Sequence, residues 1–370
     1  MTLAKDTLKI GIVAGEHSGD ILGSQLIEEL SKSREIKLFG VGGPKIESLG
    51  LESMFDFKHL QIMGLIEPLL NYKQLTSNRK KLIKTFTENN IDIFIGIDSP
   101  DFNIGIHKAL KKQNFCKNIQ LVSPSVWGWR QGRIKNIKKF IDHTICLFDF
   151  EHKFYTSKKH SSSHLGHPLA DIHSKDDEQI IREYSLDPRM NFIAILPGSR
   201  ESEINHMMPT YIDFMKLQIK SDLNTFFLIP VADDEAKLNI ENHLSKVNLP
   251  FLIKKDATKD FLSLSKKSVI TSGTASLEAA LLNAGPVICY KTNPINFTII
   301  SSMLKVEFIG LPNLLLKKEA YPELLQAKCT GNLIFDVMHS HHFEDLSYDL
   351  KLALKGDGFA ETASKILNLN

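Results

Sequence analysis

Asn191–Glu203 reads NFIAILPGSRESE, and Ser268–Pro286 reads SVITSGTASLEAALLNAGP. Each is a short apolar run, then a turn of small residues, then a helix. Asn191–Leu196 is apolar and too short for a helix, so it reads as a buried strand. Pro197-Gly198-Ser199 breaks it, and Arg200 stands where a helix would begin. In the second stretch Val269 and Ile270 lead into Ser272-Gly273-Thr274, and good helix formers run from Ala275 to Leu282. A Gly/Ser turn that opens a helix presents free backbone N–H groups and the positive end of a dipole, which suits phosphate. Two such turns and an arginine in one half of the chain point to a diphosphate site.

The same strand–turn–helix unit recurs outward in both directions. Leu8–Ala14 is a strand, Gly15–Asp20 a turn, and Ile21–Leu30 a helix with Leu22, Leu26 and Leu30 on one face. Strands follow at Lys37–Val41, Ile91–Ile97, Asn118–Val122 and Thr144–Phe148, with helices at Phe102–Lys111 and Ile134–Phe140. A polar stretch around Ala170–Asp177 marks a boundary. Beyond it, strands are expected at Phe192–Leu196, Thr225–Val231, Phe251–Ile253, Ser268–Thr271 and Pro286–Lys291. Helices are expected between them at about Glu203–Lys220, Asp234–Lys246 and Lys259–Lys266, and after Pro294 the chain reads as mainly helical. Alternating strands and helices argue for parallel sheets covered on both faces. The predicted fold class is therefore α/β: two Rossmann-like, doubly wound domains facing a cleft, at 1–172 and 173–345, with C-terminal helices at 346–370. Ligands bind outside the carboxyl ends of such strands, which directs attention to the loops there.

Bulk composition narrows the function classes. A chain of 370 residues has room for two cores. Its net charge of +2 gives no field that argues for nucleic acid. Basic residues do cluster, in NRKKLIK at 78–84 and RIKNIKKF at 133–140. Such clusters are ordinarily solvated helix faces; the functional alternative is an anionic membrane surface or substrate. Cys116, Cys146, Cys289 and Cys329 are far apart with no Cys-x-x-Cys, so neither a zinc knuckle nor a redox motif is indicated. Cys146 and Cys289 sit in apolar runs and read as core. No signal peptide or long apolar span is read, and a reducing cytosol is the expected location. The patch His59–Leu70 (HLQIMGLIEPLL), with Met63 in its middle, has no clean period. It reads as buried packing or as an apolar flap that meets lipid.

Several common motifs are absent. There is no Gly-Lys dipeptide and so no standard P-loop, and Gly15-x-x-x-Gly19 is not a dinucleotide fingerprint. There is no Asp-x-Asp and no cluster with metal-ligand spacing, so no metal and no cofactor are expected. A bound diphosphate would be balanced by Arg200 and backbone dipoles. Glu278, one turn into its helix, can accept both hydroxyls of a ribose, or is an ordinary helix glutamate. Asp98 and Asp101 flank Pro100 at a strand end; either can act as a general base, while capping the next helix suits Asp101 better. At the tip of an apolar strand, Asp98 should have its pKa raised by burial. His17 has a suitable pKa but stands alone in its loop. Trp127 and Trp129 can stack on a sugar or acyl surface, or pack in the core.

Taken together, AGEHSGDILG (14–23), GVGGPKIESLG (40–50), IDSPDFN (97–103), SPSVWGWR (123–130), LGHPLAD (165–171), LPGSRESEI (196–204), SGTASLEAAL (272–281) and LPNLLL…PELLQ (311–326) resemble lipid-A-disaccharide synthase. The blocks run over nearly the whole chain and in the family's order; SPSVWGWR with LPGSRESEI is the most specific pair. The resemblance implies a GT-B fold and an inverting, metal-free glycosyltransferase. Its donor would be UDP-2,3-diacylglucosamine and its acceptor 2,3-diacylglucosamine 1-phosphate, yielding a lipid A disaccharide phosphate and UDP. It implies peripheral association with the cytoplasmic face of the inner membrane, and homodimers that exchange C-terminal segments. Carried onto this chain, Gly198, Ser199, Arg200, Ser272, Gly273 and Thr274 hold the diphosphate, and Glu278 the ribose. Asp98 is the favoured base, with Asp20 and Glu16 as second candidates. Ser18, Met63, Trp127 and Trp129 become acceptor or lipid contacts. His17 departs from the family, which more often has a small residue there. A UDP-sugar 2-epimerase of the same architecture and a non-enzymatic UDP-binding module are the rival readings; dependence on vesicles and consumption of an acylated sugar separate them.

Overall fold

Two parallel sheets organise the chain in a computed structural model, which describes residues 7–60, 72–113, 115–128, 131–292 and 307–369. Each sheet is the centre of its own compact unit: Met1–His167 with Leu354–Asn370, and Pro168–Ala353.

In the first unit the strands are β1 (Leu8–Ala14), β2 (Ile36–Val41), β3 (Ile93–Ile97), β4 (Lys117–Leu121), β5 (His143–Cys146) and β6 (Ser162–His164). They lie in the order β2-β1-β3-β4-β5-β6, every neighbouring pair parallel. The strands β1, β2 and β3 are mostly apolar, as expected where helices cover both faces, whereas β4, β5 and β6 carry polar residues. Ile10, Ile12, Val13, Ile95 and Ile97 are fully buried. The helix His17–Ser31 turns Leu22, Leu26, Ile27 and Leu30 inward, the stripe expected from their spacing. The last helix, Gly358–Leu367, packs against that same helix.

In the second unit the strands are β7 (Asn191–Leu196), β8 (Thr225–Val231), β9 (Phe251–Lys255), β10 (Lys267–Thr271), β11 (Pro286–Tyr290) and β12 (Glu323–Leu325). Their order is β12-β11-β10-β7-β8-β9, again wholly parallel. Ile195, Ile229, Val269 and Val287 form its core with Met207, Tyr211 and Phe214 of the helix Glu201–Ser221. Cys146 and Cys289 are both fully buried, one in each sheet.

Each sheet has one more strand than the sequence suggests. The additional strands, β6 and β12, are three residues long and sit at sheet edges, too short to show a period. The region after Pro294 is thus not helical throughout. Thr144–Phe148 also divides: the strand stops at Cys146, and a helix, Asp149–Ser157, follows. Of the patch His59–Leu70, residues 61–70 lie outside the described residues; Leu60 is buried in the short turn Phe57–Leu60 and His59 is exposed.

A parallel sheet opens a ligand crevice where successive crossovers leave in opposite directions. In the first unit that point lies between β1 and β3, and in the second between β7 and β10. The segments that follow these strands, each a short turn running into the start of a helix, are Gly15–Asp20 with Asp98–Asp101, and Pro197–Glu201 with Ser272–Glu278; the helix after β1 begins at His17, four residues earlier than the sequence suggests.

Candidate active site

The second unit's crevice is a turn built around its own carboxylate next to an open helix end. Gly198 has φ +110, a left-handed conformation, and a Cβ there would lie 2.6 Å from Glu203 Oε2, so only glycine fits. Glu203 Oε2 accepts the backbone N–H of Ser199 at 3.3 Å and of Arg200 at 3.4 Å. Its Oε1 meets Arg200 Nη1 at 3.1 Å. Arg200 is thereby oriented while its side chain stays 58% exposed. The adjacent helix, Thr274–Leu281, starts from Gly273 with no side-chain cap. Gly273 and Thr274 are exposed, and nothing lies within 3.9 Å of where a Gly273 Cβ would be. The first N–H groups of that helix therefore face open space, where an anion gains both hydrogen bonds and the dipole. Ser272 is tied back, its hydroxyl donating to Ile309 O at 3.3 Å. Glu278 is half-buried on this helix, and burial raises its pKa.

The first unit's crevice is built from strain. Asp98 and Ser99 take φ +47 and +38, and Val122, at the end of the neighbouring β4, takes +67. Consecutive left-handed residues with side chains cost on the order of 1–3 kcal/mol each and persist only when their surroundings enforce them. Here side-chain amides do so. The Asp98 carbonyl accepts from Asn103 Nδ2 at 2.9 Å and from Gln120 Nε2 at 3.0 Å. Gln120 Nε2 also reaches the carbonyls of Leu121 at 3.2 Å and Val122 at 3.3 Å. Its other end, Oε1, lies 3.1 Å from Nε2 of the fully buried His107. Because the amide nitrogen serves carbonyls, the ring nitrogen is the donor in that pair. Burial pushes His107 down to about 4, so it is neutral at pH 7. The Asp98 carboxyl is half-buried, and desolvation raises its pKa above the ordinary carboxylate value. The loop after β1 touches this turn: a Cβ on Gly15 would lie 3.0 Å from Ser99 Oγ.

The other candidates fall in distinct places. Asp20 is only 2% exposed, and its oxygens accept the N–H groups of Gly43 at 2.9 Å, Lys45 at 2.8 Å and Ile46 at 3.0 Å. It caps the helix Pro44–Glu47 from a distance and has no oxygen turned outward for proton transfer. Glu16 is half-buried at the start of the helix His17–Ser31, where Ser18 and His17 are exposed; His17 stands edge-on to Phe57 at 5.0 Å. Asp101 pairs with Arg133 at 2.9 Å. Trp127 is half-buried, its indole N–H donating to Glu151 Oε1 at 3.0 Å and its ring against Phe150 at 4.6 Å. Met63 and Trp129 lie outside the described residues.

Sequence reasoning overlooks Gln120, Asn103, His107, Glu151 and Glu203. Glu203 is signalled locally, as the third residue after Arg200 in capping-box spacing. Gln120 is one of three polar residues in the buried strand β4, with no local signal of its own, and what it holds becomes visible once β3 and β4 are paired. Glu151 is buried and raised to about 7 by desolvation, while N–H groups of Leu147 and Phe148 and the Trp127 indole offset part of that rise. Among the described residues no group of three or more His, Cys, Asp and Glu side chains is arranged to hold a metal ion.

Comparison with known proteins gives this geometry a lineage. Residues 10–363 match the family model described as lipid-A-disaccharide synthetase. The lipid-A-disaccharide synthase of Alcanivorax borkumensis is 38% identical over 338 residues, 90% of this chain and 88% of that protein. The one from Cellvibrio japonicus is 39% identical over 327 residues, covering 87% and 85%. Among solved structures, a UDP co-structure of Staphylococcus aureus MnaA superposes with a TM-score of 0.60 at 12% identity, covering 98% of this chain and 95% of that one. Acinetobacter baumannii MurG does so at 0.55 and 9% identity, covering 98% and 99%. At such identities these structures report the fold alone, two six-stranded parallel α/β sheets of the GT-B type. The chain belongs to the lipid-A-disaccharide synthase family and is, with it, a hexosyltransferase of lipid A biosynthesis that uses nucleotide-sugar and lipid substrates.

Proposed function

We propose that the protein transfers the sugar of UDP-2,3-diacylglucosamine, with inversion, to the 6-hydroxyl of 2,3-diacylglucosamine 1-phosphate. Asp98 takes the hydroxyl proton as the oxygen bonds to the anomeric carbon. The bond from that carbon to the diphosphate breaks, and UDP leaves with its electron pair. Arg200, the Gly198-Ser199 turn and the open helix end at Ser272-Gly273-Thr274 receive the departing charge, and Glu278 holds the ribose. Ser18 and the exposed face of Trp127 are the acceptor contacts of this reading, with Met63 and Trp129; Glu16 is the second candidate for the base. The observation that carries it is Asp98: a carboxylate fixed at a strained strand end and raised in pKa by burial.

The same reading brings the protein to the cytoplasmic face of the inner membrane. The helices Ile134–Phe140 and Tyr72–Asn89 expose Lys135, Lys138 and Lys139, and Lys80, Lys81 and Lys84. Each such lysine near an anionic leaflet is worth about 1 kcal/mol. No helix among the described residues is long and apolar enough to cross a membrane. A homodimer that exchanges C-terminal segments would remake the contact between Gly358–Leu367 and His17–Ser31 across two chains.

The test is to mix the purified protein with both acylated glucosamine substrates and follow UDP and disaccharide phosphate by mass spectrometry. Equal amounts of both products are expected. A 2-epimer of the donor sugar, or UDP binding with no acylated sugar consumed, would sink the reading. In the same assay Arg200→Ala removes a charge-assisted contact and should weaken UDP inhibition about 10- to 100-fold; unchanged inhibition would mean that the diphosphate lies elsewhere.

A further inference from the structure

A recess of about 210 Å³ opens in the first unit, directly beside the Asp98 turn. Most of the residues that line it are apolar: Pro100 and Ile104 of the helix Pro100–Lys112, Pro124 and Val126 of the loop after β4, and Ile137 and Ile141 at the helix Ile134–Phe140. One end is closed by Gln120, the residue whose amide holds the Asp98 carbonyl at 3.0 Å. The remaining polar lining is Asn136 and the Asp101–Arg133 ion pair.

The recess is half open, and apolar wall left facing water gains stability when an apolar group covers it. It holds roughly seven water-sized groups at about 30 Å³ each. A methylene is of that size, and most of the lining is apolar, so the recess suits the end of an alkyl chain better than a sugar, whose hydroxyls would find only Gln120, Asn136 and an ion pair that is already made.

We propose that this recess is an acyl subsite and seats the end of one fatty acyl chain of the acceptor, next to the carboxylate that takes the acceptor's proton. The inference rests on the acylated-sugar reading given above. It makes Ile104, Val126 and Ile137 determinants of acceptor chain length.

A photoreactive acceptor with a diazirine at the end of its acyl chain tests it on the full-length wild-type protein. After irradiation and digestion, label is expected on peptides containing Ile104 and residues 124–141. A donor carrying the same diazirine forms the second arm. Label from the donor alone, or acceptor label only on other peptides, overturns the proposal. Turnover of the unlabelled pair is read in parallel. Product without recess labelling removes the subsite and leaves the transferase reading intact, whereas neither product nor labelling removes both. A variant adds a kinetic readout. Ile104→Phe narrows the recess, so the ratio of kcat/KM for a long-chain acceptor to that for its acetylated analogue should fall about tenfold. A ratio equal to that of the wild type, at any absolute rate, contradicts an acyl subsite.

Discussion

Both units are six-stranded parallel sheets with one switch point, and they differ in how they treat the strand ends there. In the first, side-chain amides of Asn103 and Gln120 clamp a left-handed Asp98 and Ser99. In the second, a Gly/Ser turn leaves the first N–H groups of the helix Thr274–Leu281 open and an arginine 58% exposed. The difference matches two halves of a group transfer. Taking a proton calls for a carboxylate partly stripped of water, so that its pKa rises. Receiving charge calls for donors already aimed, as Glu203 aims the exposed Arg200. A rigid end and an open end are what one scaffold supplies when those tasks are divided.

Asp98→Asn attacks the rigid end where the effect should be largest. Removing a general base lowers kcat by roughly 10²- to 10⁴-fold, while UDP inhibition, governed by the other unit, should stay as in the wild type. The pH profile carries a sign. If Asp98 is the base, its protonated form is inactive and kcat/KM falls as pH drops through its folded pKa, which lies above the ordinary 3.8 because of burial. Near-wild-type turnover by the asparagine variant would move the base elsewhere, with Glu16 next in line.

Acid should separate the units as well. Burial holds His107, His143, His160 and His167 down to about 4, and all four belong to the first unit. Between 6.5 and 4 the unfolded chain binds protons that the folded unit refuses, so stability is lost as pH falls through that window. Glu151, raised to about 7, works the other way: its contribution is complete below 4.5 and lost as pH rises toward 7. At about 1.4 kcal/mol per pH unit, His107 and His143 alone lose about 2 kcal/mol each from pH 6.5 to 5, and Glu151 returns slightly more than one of them does. The net is a destabilisation of a few kcal/mol confined to one unit. Both tryptophans, Trp127 and Trp129, are in that unit. Acid titration followed by tryptophan fluorescence should therefore show a midpoint at higher pH than far-ultraviolet circular dichroism, which sees both sheets. Coincident transitions would erase the asymmetry.

How much of this was legible in the sequence follows the range of the forces involved. The turns at Pro197–Arg200 and Ser272–Thr274 are set by neighbours in the chain, and the buried strands by their own composition, so both can be read directly. The edge strands β6 and β12 exist only because a sheet is already there to pair with, and three residues carry no period. Asp20 shows why a carboxylate in the turn-to-helix region is ambiguous: it lies in the first turn of the helix His17–Ser31, and the N–H groups it caps lie 23 to 26 residues downstream. Trp127 reads equally well as packing or contact, and the partner that fixes its indole, Glu151, is 24 residues away. Rigidity at Asp98 is likewise long-range, since it depends on a glutamine in the neighbouring strand.

That glutamine offers the finest cut between the two ends. Gln120→Leu keeps the bulk inside β4 but removes every amide contact. The Asp98 carbonyl would keep only Asn103, the Val122 carbonyl would lose its amide donor, and His107 would be left with a buried donor and no acceptor. Stranding such groups costs about 1–3 kcal/mol, readable as a lower denaturation midpoint. If the amide also positions the base, kcat should drop about tenfold with the KM for the UDP-sugar little changed, and the acid limb of the kcat/KM profile should shift as the turn relaxes. A purely structural glutamine would lower the midpoint and leave both the profile and the kcat of the folded fraction alone. The matching change at the open end, Ser272→Ala, deletes one half-exposed hydroxyl contact to Ile309 at 3.3 Å and should cost less than about 1 kcal/mol in stability or in UDP affinity. If Ser272→Ala proved as damaging as Gln120→Leu, the second crevice would be as tightly built as the first, and the division of labour between a clamped carboxylate and an open anion seat would fail.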